Sequence, residues 1–168
     1  MGVLGREARA IQNPALGGTL IAAAAHGFAE GSGVNAGMPL ALSFLILPIV
    51  LHAATFEQLR GTLRKSGLRY FSDKFSRPKI AQSDVLLAIQ ARAIAMRQTT
   101  FASLDVILQS RLAVLDCKRA ELFPTELLQK VLTSSHSEED LYRESDKLGF
   151  WFGSVTPFEL SIILKVAF

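Results

Sequence analysis

The stretch that most constrains the fold is MPLALSFLILPIVLHAA, Met38 to Ala54, 17 residues without a charged side chain. A membrane-spanning helix needs about 20 mostly apolar residues, and this run is interrupted by Pro39, Ser43, Pro48 and His52. The second apolar stretch, Leu16 to Ala25, is shorter still. Both predict buried core elements and no membrane span. A short apolar run suits a buried helix or a buried strand. Because Pro48 limits any helix, the expectation is a helix from about Pro39 to Leu47, a break, and an extended or short helical stretch through Leu51.

A core of this kind fits a single domain over residues 1–168. Hydrophobic residues make up 49% and charged residues 20%, with a mean hydropathy of +0.29. That balance excludes disorder and leaves a lone monomer short of charged groups, against a usual share of about 25%, so some apolar surface is expected to meet a partner. Cys117, the only cysteine, allows no internal disulfide, and MGVLGREARAIQ lacks the layout of a secretory leader. The expected location is the cytoplasm.

Charge is unevenly spread. Arg60, Arg64, Lys65, Arg69, Lys74, Arg77 and Lys79 face Asp73 alone, giving +6 in 20 residues within a chain of net charge +3. Glu138, Glu139, Asp140, Glu144 and Asp146, opposed by Arg143 and Lys147, form a counterweight. The pI of about 9.2 therefore reflects one basic patch.

Between these features the punctuation reads as mainly α (α+β). Asn13 and Pro14 start a helix in which Leu16, Leu20, Ala23 and Ala24 share a face. Its Ala and Gly content suits close packing at the centre of a fold, and EGSGVNAG follows as a loop. Thr55 with Gln58 forms a capping-box pattern for a helix carrying Phe56, Leu59 and Leu63 on one side. Ser83 or Asp84 is expected to cap a helix with Leu86, Ile89, Ala93 and Met96 as its apolar stripe. Thr100 is expected to cap the next, with Phe101, Leu104, Leu108 and Leu112 buried and Ser103 nearer solvent. LAVLD and AELF, on either side of Cys117, Lys118 and Arg119, read as a hairpin. Helix, turn, helix and hairpin together give a winged helix-turn-helix-like part at about 83–124. A serine-capped helix follows from about Glu138, with Leu141, Leu148, Trp151 and Phe152 inward. A last helix opens on Thr156, Pro157 and Glu159.

No catalytic or metal constellation emerges. His26, His52 and His136 have no i, i+4 partner, and Gly31, Gly33 and Gly37 fit no phosphate-binding spacing. No catalytic residue, metal ligand or cofactor is therefore assigned. The seven basic residues from Arg60 to Lys79, interleaved with Tyr70, Phe71 and Phe75, are the candidate contacts for DNA or a partner. The competing reading is a solvated linker with its aromatics tucked into the core. The second helix of the winged part offers only Gln109 and Arg111 as groove readers.

EARAIQNPALGG, PLALSFLILPIVLHAAT and LGFWFGSVTPFELSIIL together resemble the middle component of three-component ABC (ABC-3C) systems. These are small proteins encoded beside an SMC-like ATPase and an effector in bacterial anti-phage operons, including Lamassu-type defence. The resemblance spans nearly the whole chain. It implies a non-enzymatic adaptor that binds the SMC-like ABC ATPase dimer and an effector subunit, expected to be a nuclease, with double-stranded DNA reached through the complex. The alternative is a stand-alone winged-helix DNA-binding transcription regulator.

Overall fold

Asn13 accepts a hydrogen bond from the Leu16 N–H at 3.3 Å and Pro14 takes the first helical position, which starts α1 (Pro14–Gly31) as expected. The computed structural model describes residues 13–33, 36–76, 80–134 and 138–167. From Gly17 to Ala25, α1 is buried on every side. A helix apolar all round is a core helix.

Its main partner is α8 (Glu139–Gly153), and the two backbones come unusually close. A Cβ placed on Gly27 would lie 1.9 Å from the Asp146 carbonyl oxygen, and on Gly31 2.0 Å from that of Phe150. In return, a Cβ on Gly149 would lie 1.9 Å from the Ala24 carbonyl oxygen, and on Gly153 2.3 Å from that of Phe28. Two glycine pairs at i, i+4, one on each helix, thus form the crossing. Ser145 adds a buried bond to the Leu20 carbonyl at 2.7 Å. Leu141, Leu148, Trp151 and Phe152 are buried, as the spacing requires.

The apolar run folds differently from expectation at Pro48. It forms a short strand β1 (Met38–Pro39), a 3-10 turn (Leu40–Leu42) and α2 (Ser43–Val50), which runs through Pro48 without a break. An interior proline costs roughly 3 kcal/mol. Complete burial of Ile46, Leu47, Ile49 and Val50, each worth about 1.5–3 kcal/mol, outweighs it. The chain then bends by 95° into α3 (Ala53–Arg60). Thr55 does not cap α3. Its hydroxyl is buried and donates to the Ile49 carbonyl at 2.6 Å, so it staples the bend. Because α3 stops at Arg60, Leu63 falls outside it and is exposed, while Phe56 and Leu59 are buried as expected.

After a 3-10 turn (Arg64–Ser66) come α4 (Gly67–Ser76), α5 (Ile80–Ala95) and α6 (Arg97–Gln109). Ser83 and Asp84 lie inside α5 and so do not cap it. Thr100 lies inside α6, and its hydroxyl donates to the Met96 carbonyl at 3.2 Å. The buried stripe of α6 is Thr100, Ser103, Leu104 and Ile107, whereas Phe101 is 52% exposed. Gly17 and Gly18 explain the rotation: they bring α1 against Ser103 and Ile107 so closely that only a small side chain fits at position 103.

The expected hairpin is present as β2 (Ala113–Asp116) and β3 (Glu121–Pro124), with Asp116 accepting from the Lys118 N–H at 2.9 Å across the tip. β1 joins β3 on its other edge, giving an antiparallel sheet of order β1-β3-β2 with Met38 opposite Leu122 and Leu115 opposite Leu122. Helix α7 (Leu127–Ser134), for which the sequence reading gives no element, buries Leu128 fully. Of the serines expected to cap the following helix, Ser134 ends α7, and Ser135 and Ser137 lie outside the described residues. Helix α9 (Pro157–Leu164) opens on the expected capping box: Thr156 accepts from the Glu159 N–H at 3.2 Å, and Glu159 from the Thr156 N–H at 3.0 Å. The fold is mainly α with one small sheet. Among the described residues no single helix is long and apolar enough to cross a membrane.

Gly149→Ala is expected to lower the unfolding free energy by about 3 kcal/mol and Tm by roughly 6–12 °C, because its methyl group meets backbone that cannot rotate away. Gly33→Ala is the reference: its Cβ meets nothing within 4 Å, so only its positive φ is penalised, by about 1–2 kcal/mol. Equal losses in the two variants, measured by urea and thermal denaturation, would show that the helices do not cross this closely.

Candidate interaction site

The candidate cations divide into two groups. Arg64, on the 3-10 turn, reaches across to α8 and α1: its guanidinium donates to Asp146 at 2.8 Å and to Glu30. It also lies 4.2 Å above the Phe150 ring. Its own carbonyl accepts the Trp151 indole N–H at 2.7 Å. Lys74 folds back onto the end of α3, donating to the Gly61 carbonyl at 2.8 Å. These two help to hold the turn and α4 in place. Arg69 pairs with Glu159 of α9 at 3.0 Å while remaining 67% exposed. Arg60 and Lys65 are exposed, and neither makes an ion pair among the described residues. Arg77 and Lys79 lie outside the described residues.

The interleaved aromatics divide as well. Phe71 and Phe75 are core residues, 5.2 Å apart edge to face, with Phe71 also against Trp151. Only Tyr70 is open, beneath Lys74. The stacking surface expected of a single-strand binder is therefore reduced to one ring.

The acidic counterweight meets the basic segment at one point. Asp146 accepts from Arg64 on one oxygen and from the His26 ring on the other, both at 2.8 Å. The Asp146 hydrogen bond holds His26 protonated to higher pH than a free histidine; partial burial opposes this, and the charges of Asp146 and Glu30 reinforce it. A cleft of about 580 Å³ between α1, α7 and α8 opens onto these groups, with Gln129, Glu139 and Arg143 on its walls. His26, Glu30 and Asp146 present donor atoms within 4.8 Å of one another. The Arg64 guanidinium already bridges both carboxylates, so a cation there would meet a resident one. Deeper along α8, Glu144 and Lys147 form a buried ion pair, and Lys147 also donates to the Thr62 carbonyl at 2.8 Å.

The sequence alone did not reveal the His26, Glu30 and Asp146 grouping, because Asp146 lies 120 positions from His26. The signal that would have found it is the pair of glycine spacings, Gly27 with Gly31 and Gly149 with Gly153, which bring those two segments together. Over residues 1–168 the chain matches the family described as ABC-three component (ABC-3C) system Middle Component 3. The chain belongs to that family. Comparison with curated proteins and with solved structures found no match. As a middle component, the protein has partner subunits, and its family is named as a component and not as an enzyme.

The His26 to Asp146 contact gives a signed pH dependence. Because the folded-state pKa lies above the unfolded value of about 6.5, the stabilisation is complete below pH 6.5 and declines as pH rises through the folded pKa. The stability gap between the native chain and His26→Gln, from urea titrations across pH 5–9, is expected to shrink towards alkaline pH. A gap that widens would reverse the sign and overturn the assignment.

Proposed function

We propose that this middle component is a non-enzymatic adaptor in a Lamassu-type anti-phage system, bridging an SMC-like ABC ATPase dimer and an effector nuclease. The family match along the whole chain carries this reading. The surface supports it: Leu87, Ile94 and Phe101, each at least 52% exposed, belong with Phe44 to one apolar face, and an exposed contiguous apolar patch marks an interaction site. Co-expression with the co-encoded ATPase tests it. Recovery of a soluble, monodisperse chain that fails to co-purify with that ATPase would count against the adaptor.

Within the complex, the exposed cations contact duplex DNA through its phosphates, and Arg60, Lys65 and Arg69 are the residues positioned for it. Arg64 and Lys74 are committed to internal contacts. Arg60→Ala with Lys65→Ala is expected to flatten the salt dependence of DNA binding by about 0.9 log units per log unit of salt for each phosphate no longer neutralised. Stability should stay within about 0.5 kcal/mol. Arg64→Ala, by contrast, leaves Glu30 without its cation and Asp146 with His26 alone, and is expected to lose about 1 kcal/mol. Fluorescence anisotropy across a salt series gives the slope, and an unchanged slope in the double variant would remove both residues from the interface.

A winged-helix regulator is the second reading, favoured by the strand order β1-β3-β2, in which a strand preceding the helix pair flanks the hairpin. The open side of α6 argues against sequence readout: it carries Phe101, and Asp105 and Gln109 are bonded to each other at 2.8 Å. A discrete palindromic footprint on the upstream region would favour the regulator.

A further inference from the structure

Helix α5 is apolar on two sides. From Val85 to Ala95 its only strongly polar residues are Gln90 and Arg92. Leu86 and Ile89 fill the core, yet Leu87 is 53% and Ile94 66% exposed, with Ala91 open between them. These three sit at i, i+4 and i+7, one stripe along the helix. Where α5 meets α2 and α6 the stripe runs into a shallow groove of about 290 Å³ that includes Phe44 and Ile94. Phe101 continues the apolar surface, edge to face with Phe44 at 5.1 Å. Arg97 stands on the groove wall, exposed and without an ion pair among the described residues.

We infer that this stripe and groove dock an amphipathic helix of a different polypeptide, one that places aliphatic side chains at i, i+3/i+4 and i+7 spacing and a carboxylate against Arg97. Leu87, Ala91 and Ile94 form a helix face of the spacing that packs against a second helix, and Ile94 joins that face to the groove. Charge identifies the occupant. Covering the groove removes water from Arg97, which is costly unless an anion replaces it. The described lining holds no acidic side chain, so a second copy set groove to groove would bring another cation and no carboxylate. An acid-bearing helix of another polypeptide meets that need, and a copy of this chain docked through a different face is read out by the test below.

The inference rests on the adaptor reading only for the source of the partner. Its test is photo-cross-linking in cells producing all the co-encoded subunits, with Ile94 replaced by benzoylphenylalanine. The expected product is a peptide from another subunit with helically spaced aliphatic residues and an Asp or Glu within one turn. Leu87→Glu with Ile94→Glu is expected to lower recovery of that subunit about tenfold or more. Arg97→Glu lowers it less, and a Lys in place of the partner's acid restores it. Thermal denaturation of the exposed-site variants should match the native chain, which separates impaired docking from misfolding. A cross-link to another copy of this chain, no cross-link, or recovery unaffected by the double variant overturns the inference. If the native chain still co-purifies with the ATPase in those cases, the adaptor reading stands; if the native chain co-purifies with no subunit, that reading falls whatever position 94 captures.

Discussion

Everything else in this fold depends on the contact between α1 and α8, where four glycines let two helices meet backbone to backbone. The Cβ positions on this crossing all fall within 2.3 Å of a carbonyl oxygen of the opposing helix, so any larger residue forces the axes apart. Close approach has two consequences. Dispersion contacts, individually about 0.1–0.2 kcal/mol, become dense along the seam. Each helix also presents its far side to other elements at a fixed offset. Trp151, Lys147 and Asp146 lie on α8 and are positioned only as well as the seam allows, yet they bind the 3-10 turn and the residues before it.

That offset explains how the protein uses its charge. A basic segment next to an acidic one would ordinarily be a solvated pair of surfaces, worth little in stability. Here one residue from each, Arg64 and Asp146, is drawn to the edge of the seam and combined with His26 and Glu30 of α1. Phe150 beneath the guanidinium shields one of its faces. Lys147 is the more buried case: with Glu144 and the Thr62 carbonyl around it, it is satisfied where an unpaired ammonium would be untenable. The folding role of these cations removes them from the surface available to partners and leaves Arg60 and Lys65, with Arg69 paired to Glu159 but largely exposed, as the outward charges of the segment.

Much of the fold is legible where local chemistry decides alone. Asn13 with Pro14, Thr156 with Glu159, and the polar tip between LAVLD and AELF carry their own hydrogen-bonding instructions, and the two helices start and the hairpin turns where those residues say. Legibility fails where a distant contact overrides a local preference. Pro48 should end a helix, but the core around Leu45 to Val50 favours continuation. Thr55 and Thr100 have the chemistry of caps, yet each is buried and donates backwards, Thr55 to the Ile49 carbonyl of α2 and Thr100 to the Met96 carbonyl just before α6. Ser103 looks like a surface residue until Gly17 arrives against it. Of the candidate site, the positive charge was readable and its division was not, because Glu159 lies 90 positions from Arg69 and Asp146 lies 82 from Arg64.

α1 also sets the spacing between the two surfaces proposed for partners. α6, which borders the apolar groove, meets α1 at Gly17 and Gly18; α8, which holds the turn carrying Lys65, meets it from Leu20 to Gly31. Ten residues of α-helix between Gly17 and Gly27 correspond to about 15 Å, and burial on every side from Gly17 to Ala25 leaves that segment little freedom to bend. A flexible connection would let each surface bind without constraining the other. A buried helix with close glycine contacts at both ends instead holds the two proposed surfaces at a set spacing. Such a connection suits a subunit whose proposed task is to hold two others in a defined relation.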